Sequence, residues 1–361
     1  MRVLHVIAEM GVGGAESLVA EMATLGNGYG WTSAVASAGG VRADELRAAG
    51  ARCYDVPLVS RSVGGLLAAR RAVAAAATDF DTEVIVAHNI SATAVVRAAK
   101  PRLPVLSVFH GVAATDYRAA AAVLSAASTR TVAVADAIAG RLRDHGLRRV
   151  PLTVIRNAVA IPDLPGRERA RAALGLDPDQ PVALCLARLE PQKRHDVLLR
   201  AWAAQDPGAV LLIAGDGSLR GELETRAPGL GDRVRFLGNR DDVPTLLAAT
   251  DLTVLTSDWE GLPMAVLESM ASGIPLVASD VDGLREVLGN GGGTLVEPGD
   301  HAAFATAIAH ALSSPRWREE QSAAALRRIR EDYSPAAMMT RYDTELRGMI
   351  RAKRSSRCRK R

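Results

Sequence analysis

Short apolar runs rich in β-branched residues alternate with longer amphipathic stretches along most of the chain. This alternation restricts the possible folds more than any other feature. The runs fall at 3–8, 33–37, 84–88, 105–109, 131–135 and 152–155. Helical patterns lie between them, at 15–25, 64–77, 91–99, 119–126 and 137–144. A second series of runs, at 182–187, 210–214, 234–237, 252–255, 276–279 and 293–296, is also interleaved with helices. Strands that are apolar on both faces belong to parallel sheets covered by helices on each side. Two consecutive series predict an α/β fold of two Rossmann-like, doubly wound domains facing a cleft. Ligands in such sheets bind beyond the carboxyl ends of the strands.

The segment Ile161-Pro162-Asp163-Leu164-Pro165-Gly166 concentrates breakers and marks the expected boundary. The predicted organisation is a first domain over 1–162, a second over 163–333, a closing helix over 334–350 and a tail over 351–361. Amphipathic stretches at 302–312 and 316–330 belong to the second domain. Ser334-Pro335 opens the closing helix, which is expected to pack back on the first domain. A length of 361 residues suits two domains of ordinary size.

The net charge of +4 is unevenly spread. Arg351, Lys353, Arg354, Arg357, Arg359, Lys360 and Arg361 crowd the last eleven residues, with no acid among them, and without them the chain carries −3. Nucleic acid is therefore not an expected partner, since a basic folded face is missing. The tail reads as a disordered, solubilising end, with weak peripheral contact to an anionic membrane as the alternative. Cys53, Cys185 and Cys358 stand far apart, so neither a disulfide framework nor a zinc site is expected. The first ten residues, MRVLHVIAEM, read as a buried strand rather than a signal peptide. No stretch approaches the roughly 18 apolar residues of a spanning helix. The expected location is the cytoplasm, with any peripheral contact at the inner face of the membrane.

Four motifs lie just after strands. Gly11-Val12-Gly13-Gly14-Ala15-Glu16 follows the first run and opens the first helix, where backbone N–H groups can approach an anion. A dinucleotide fingerprint needs Gly or Ala where Glu16 stands, and no acid ends the second strand to hold a ribose. A loop that approaches phosphate or sugar fits better than that, and better than a plain tight turn. Phe109-His110-Gly111 ends another strand. His110 there can hydrogen-bond a hydroxyl or a developing charge, or serve structure alone.

In the second domain, Ala187-Arg188-Leu189-Glu190-Pro191-Gln192-Lys193 follows the first strand. Arg188 and Lys193 are a cationic pair suited to a diphosphate, although the loop by itself reads more readily as solvated surface. Glu260-Gly261-Leu262-Pro263-Met264-Ala265-Val266-Leu267-Glu268 places two acids eight residues apart. Pro263 is expected as the first residue of a helix. The N–H groups of Met264 and Ala265 would then face an anion, and Glu260 and Glu268 would accept hydrogen bonds from two polyols at two depths. The D-x-D matches at 79–81, 177–179 and 280–282 are short enough to arise by chance, and no metal is expected. The Walker loop, G-x-S-x-G and H-E-x-x-H do not occur.

Together these residues resemble glycosyltransferase family 4, the retaining, nucleotide-sugar-dependent transferases with the GT-B fold. The resemblance covers 1–350 and is strongest over 182–296. GLPMAVLESMASGIPLVASDVDGLREV is similar to the family's E-x7-E signature, and ARLEPQKRHDVLLRA to its Arg/Lys segment. IAGDGSLRGELE followed by VRFLG resembles its base-binding stretch. VIRNAV resembles its hinge, with Ala158 in place of the usual glycine. The resemblance implies that Arg188 and Lys193 neutralise the donor diphosphate, that Glu268 holds ribose hydroxyls and that Glu260 holds hydroxyls of the donor sugar. It implies that Gly261, Leu262, Pro263, Met264 and Ala265, with Gly13 and Gly14, contact phosphates and sugar through their backbone. It places His110 beside the sugar and the backbone around Phe236 at the edge of the base. The catalytic set so implied is His110, Arg188, Lys193 and Glu260.

The resemblance also implies front-face attack, in which the leaving phosphate helps to deprotonate the acceptor. No cofactor is then needed besides the sugar nucleotide, a UDP-sugar by default. The acceptor is a hydroxyl or similar group on a glycan, lipid or small natural product. Two other readings compete. One is a nucleotide-sugar-binding partner protein of the same fold without turnover, which the full charged set argues against. The other is a dinucleotide oxidoreductase, which Glu16 argues against.

Overall fold

In a computed structural model the chain forms two units, Met1–Asn157 with Pro335–Arg361, and Ala158–Ser334. The structure describes residues 1–358 apart from Val12, 59–61, Pro101 and 206–207; the side chains of Val63, Pro228 and 356–358 are also outside it. The division after Asn157 falls just ahead of the breaker segment at 161–166.

Unit 1 holds seven strands: β1 Arg2–Val6, β2 Thr32–Ser37, β3 Arg52–Asp55, β4 Val84–Ala87, β5 Val105–Phe109, β6 Arg130–Ala133 and β7 Leu152–Val154. They pair in parallel in the order β3-β2-β1-β4-β5-β6-β7. Unit 2 holds β8 Val182–Leu186, β9 Val210–Ala214, β10 Val234–Gly238, β11 Leu252–Leu255, β12 Leu276–Ser279 and β13 Gly293–Val296. They are also parallel, in the order β10-β9-β8-β11-β12-β13. β4, β5, β9, β11 and β12 are buried at every residue, the result of helices on both faces. The strand order reverses between β1 and β4 and again between β8 and β11, so each sheet has a switch point where its strand ends open a crevice.

Two elements escape the sequence pattern. β3 is an edge strand paired only with β2, exposed at both ends, so its residues RCYD carry no apolar run. The helix Val41–Ala48 buries only Ala43 and Leu46. Two such contacts leave too weak a stripe to read as amphipathic.

The closing helix corrects the expected end of the fold. It runs over Pro335–Cys358 rather than stopping near Ile350, so residues 351–358 are helical where a disordered tail was expected. Arg354 pairs with Glu83 at 3.1 Å, and basic groups suit a helix carboxyl end. Arg359, Lys360 and Arg361 lie outside the described residues, as does the side chain of Arg357. The helix packs on unit 1 through one stripe, Met338, Met339, Tyr342, Leu346 and Met349, all buried. Polar contacts fix its register. Asp343 accepts from the Trp31 indole at 2.8 Å, Arg347 donates to the Tyr29 carbonyl at 2.8 Å, and Glu345 pairs with Arg130. No helix of the described residues is long and apolar enough to cross a membrane.

Tyr342 is fully buried, and its hydroxyl has no hydrogen-bond partner among the described residues. An orphaned buried polar group costs about 1–3 kcal/mol. Tyr342→Phe is therefore expected to hold or raise stability in urea unfolding, whereas Leu346→Ala in the same stripe should lose about 2–5 kcal/mol. A large loss in Tyr342→Phe would mean that the hydroxyl is satisfied.

Candidate functional site

In unit 2 the loops that leave β8 and β11 are tied into one piece. After β8 the chain makes a single short turn at Pro191–Lys193, then places Arg194 in the left-handed region at φ 50°. A side chain there is strained, and two carboxylates hold it. Arg194 donates to Asp196 at 2.9 and 3.2 Å and to Asp258, beyond β11, at 2.9 Å. The Asp258 N–H donates to the Gln192 carbonyl at 2.9 Å. The Thr256 hydroxyl points at the carbonyls of Lys193 and Arg194, at 3.0 and 2.9 Å.

From this frame Lys193 Nζ meets Glu260 Oε1 at 2.5 Å, with the side chains only 11% and 6% exposed. The Ser257 hydroxyl donates to the same carboxylate oxygen at 2.6 Å. Sequence reasoning named Lys193 and Glu260 but missed Ser257, Thr256, Arg194 and Asp258. Their signal was position alone: all four lie within four residues of a named one.

The next helix is Met264–Ala271. Pro263 is its N-cap, with ψ 129°, and not its first residue as expected. The extended ψ turns the Pro263 carbonyl into the helix, where it accepts from Val266 at 3.1 Å and Leu267 at 3.4 Å. The N–H groups of Met264 and Ala265 have no acceptor among the described residues, so they remain available at a helix start. Glu268 lies one turn beyond Met264 and is half-buried. Leu262 is buried, and Gly261 is pressed by Gly283 so closely that a Cβ on Gly283 would stand 1.4 Å from the Gly261 carbonyl oxygen. Only glycine fits at 283.

Other expected residues have surroundings of their own. Arg188 is exposed, makes no side-chain hydrogen bond or ion pair among the described residues, and lines a cavity to which neither Lys193 nor Glu260 contributes. Phe236 is on β10, the sheet edge, half-buried against the core. Beneath the Lys193–Glu260 pair, Cys185 Sγ lies 3.6 Å from His195 Nε2. Burial pushes this thiol up to about 12 and the imidazole down to about 4, so neither is charged near neutral pH.

In unit 1, the helix Gly14–Leu25 starts after an extended Gly13, and Val12 lies outside the described residues. The Glu16 carboxylate folds back over Gly13, 2.3 Å from where a Cβ would be. The protein's own carboxylate thus sits at this helix start. His110 follows β5; its Nε2 is buried without a partner among the described residues, and burial holds its pKa near 4. His88, just past β4, and His5, within β1, lie on the two preceding strands of the sheet. His5 Nδ1 is 3.1 Å from His88 Nε2. Burial, with His5 and His110 nearby, holds His88 well below the usual range, and burial takes His5 to about 4. Only His110 was singled out from sequence, though His88 ends its strand in the same manner.

Two family models match the chain. The Glycosyltransferase Family 4 model matches residues 12–161, and the model of Glycosyl transferases group 1 matches residues 166–328. The chain belongs to this glycosyltransferase family. Among relatives, the lipopolysaccharide core biosynthesis glycosyltransferase LpsE of Rhizobium meliloti is 36% identical over 174 residues, 47% of this chain and 50% of that protein. The D-inositol 3-phosphate glycosyltransferase of Mycobacterium tuberculosis is 36% identical over 199 residues, 50% of this chain and 41% of that one. The match thus spans half or less of the length of these relatives. HepE from Anabaena, in complex with UDP and glucose, superposes with a TM-score of 0.86 at 23% identity, over 96% of this chain and 100% of its own. Sucrose-phosphate synthase from Thermosynechococcus elongatus gives 0.83 at 20% identity, over 98% and 100%. Both show the fold, which is GT-B.

The depressed histidines set a pH dependence. Their folded pKa values lie below the unfolded value of about 6.5, so their protonation favours unfolding. Stability is full above about pH 6.5 and falls as pH drops toward 4, by about 1.4 kcal/mol per pH unit for each such group. Urea unfolding at about pH 7.5 and about pH 5 should differ by roughly 2 kcal/mol per buried histidine. His5→Gln should flatten the acid limb. Equal stability at both pH values would show the imidazoles to be protonated in the fold.

Proposed function

We propose that the protein is a retaining glycosyltransferase that moves a sugar from a nucleotide-diphosphate sugar, a UDP-sugar in the simplest case, to an acceptor hydroxyl. The observation that carries this reading is the nearly buried Lys193–Glu260 pair at the switch point of the second sheet, beside the uncommitted N–H groups of Met264 and Ala265. A cation and a helix start suit a diphosphate, and a carboxylate suits sugar hydroxyls. Family membership and the UDP-bound fold neighbour support the same donor class. The two relatives are named for different compounds, so they support no acceptor narrower than a hydroxyl on a glycan, lipid or small natural product.

In the proposed reaction the bond from the anomeric carbon to the diphosphate oxygen breaks. The acceptor oxygen bonds to the same face, and its proton passes to the departing phosphate. Lys193, Arg188 and the N–H groups of Met264 and Ala265 stabilise charge developing on the diphosphate. Glu260 accepts from the donor sugar once a phosphate takes its place on Lys193, and Glu268 accepts from the ribose. In unit 1, neutral His110 offers a ring nitrogen to a hydroxyl; with its pKa near 4 it is not a general acid at neutral pH. The reading assigns the diphosphate charge to these groups rather than to a metal or a further cofactor, so EDTA is expected to leave the rate unchanged. It sets the protein in the cytoplasm. Arg351, Lys353, Arg354 and the basic residues after them add weak attraction to an anionic membrane, about 1 kcal/mol per group.

A panel of nucleotide sugars, scored for binding and slow hydrolysis and followed by an acceptor screen, tests the activity. Lys193→Ala and Glu260→Gln should each cut transfer by about 10²–10³-fold. Full transfer in both Glu260→Gln and Arg188→Ala would overturn the assigned roles. For the membrane contact, co-sedimentation with phosphatidylglycerol-rich vesicles should fall when residues 351–361 are removed, and equal sedimentation would reject it.

A further inference from the structure

The cavity lined by Arg188 belongs to unit 2 and has a chemistry of its own. Its volume is about 760 Å³, within the range of ligand pockets. Trp259, half-buried, forms part of its wall, with Gln192 and the apolar Leu219 and Leu223. Among the described residues, neither the Trp259 indole N–H nor the Gln192 side-chain amide has a hydrogen-bond partner, and the Trp259 ring makes no aromatic contact. A large ring, an amide and a guanidinium therefore converge on one space without being used by the fold. Rings and amides buried in the fold ordinarily find partners within the protein; these two, half-buried, keep their donors open to whatever enters the cavity.

The charges decide what could occupy it. The lining carries three guanidinium groups, Arg188, Arg194 and Arg226, against four carboxylates, Glu190, Asp196, Glu222 and Asp258. Arg194 is engaged by Asp196 and Asp258, and Arg226 by Glu222. The net charge is negative, and committing Arg188 to a diphosphate makes the space more acidic still. A phosphate or nucleotide is therefore a poor match. A neutral polyhydroxylated ligand fits: carboxylate oxygens accept from hydroxyls, the amide and indole donate to ring oxygens, and the Trp259 face covers the C–H face of a sugar ring.

We propose that this cavity is a binding subsite for a neutral saccharide chain, held on the face of Trp259 and fixed by Gln192. On the proposed function the subsite adjoins the donor site at Arg188 but is otherwise built from different residues, and its binding does not require turnover.

The test uses the full-length protein carrying 5-fluorotryptophan, whose four tryptophans give four fluorine resonances. Trp259→Phe identifies the resonance of interest. Maltohexaose, cellohexaose, chitohexaose and mannohexaose are titrated in turn, with pyrophosphate and UMP as anionic comparators. At least one saccharide should move the Trp259 resonance saturably and leave the other three fixed. Gln192→Ala should weaken that response by about tenfold, the loss expected for one hydrogen bond. The proposal is overturned if no saccharide moves the resonance, if only pyrophosphate or UMP does, or if Gln192→Ala binds unchanged. Because no transfer is measured, failure here and failure of donor hydrolysis are separate results.

Discussion

The contact between Lys193 and Glu260 is the interaction on which the rest of the unit 2 site depends. It joins the loops of two neighbouring strands at the point where the strand order reverses. Both side chains are nearly out of solvent, so each charge is costly without the other, and removing one partner leaves the second uncompensated. Ser257 adds a donor to the carboxylate and lowers that cost. The pair is not needed for compactness, since an apolar pair would pack as well at less expense of desolvation. Its use is positional. It keeps an ammonium and a carboxylate in place before any ligand arrives, and on the proposed reading an incoming phosphate exchanges with Glu260 on Lys193.

Holding two loops in register needs backbone precision as well as charge. Arg194 accepts a left-handed conformation, which costs about 1–3 kcal/mol. Two carboxylates, Asp196 in the helix that follows and Asp258 in the loop after β11, repay it, and hydrogen bonds to them raise its pKa further. On the other side, Gly283 brings the start of the helix Asp282–Leu288 against the Gly261 carbonyl. That contact fixes the peptide that leads into Pro263 and the helix behind it. The free N–H groups of Met264 and Ala265 are therefore aimed by packing from beyond the neighbouring strand, β12, as much as by local sequence.

Most of this architecture was legible in the sequence because parallel strands buried on both faces leave continuous apolar runs. The runs at 84–88, 105–109, 210–214 and 252–255 all became buried strands. β3 was illegible because an edge strand has one neighbour and needs no such run. Pro263 was displaced by one position because proline tolerates both the N-cap and the first turn, and only ψ tells them apart. At the site, Lys193 and Glu260 stood out in sequence, whereas the Ser257 and Thr256 hydroxyls and the pair Arg194–Asp258 did not. Ser257, Thr256 and Gln192 are ordinary surface residues until the loops of β8 and β11 come together. The basic tail misled for a related reason. Its composition reads as disorder, yet the stripe from Met338 to Met349 and the pair Arg354–Glu83 carry the helix onward.

The two units treat charge in opposite ways. Unit 2 carries paired ions at its strand ends, where a diphosphate would need a cation and where four carboxylates line the neighbouring cavity. Unit 1 places neutral imidazoles at its strand ends and a carboxylate of its own at the first helix start. A helix start already covered by Glu16 favours hydroxyls over phosphates, because a second anion would meet repulsion there. Neutral His110, with one ring nitrogen uncommitted, has the same preference. The glycine loop of unit 1, which from sequence alone could serve a phosphate or a sugar, is thus better matched in three dimensions to a sugar or an acceptor hydroxyl. On the proposed reading, the phosphate chemistry then falls to Lys193, Arg188 and the helix behind Pro263.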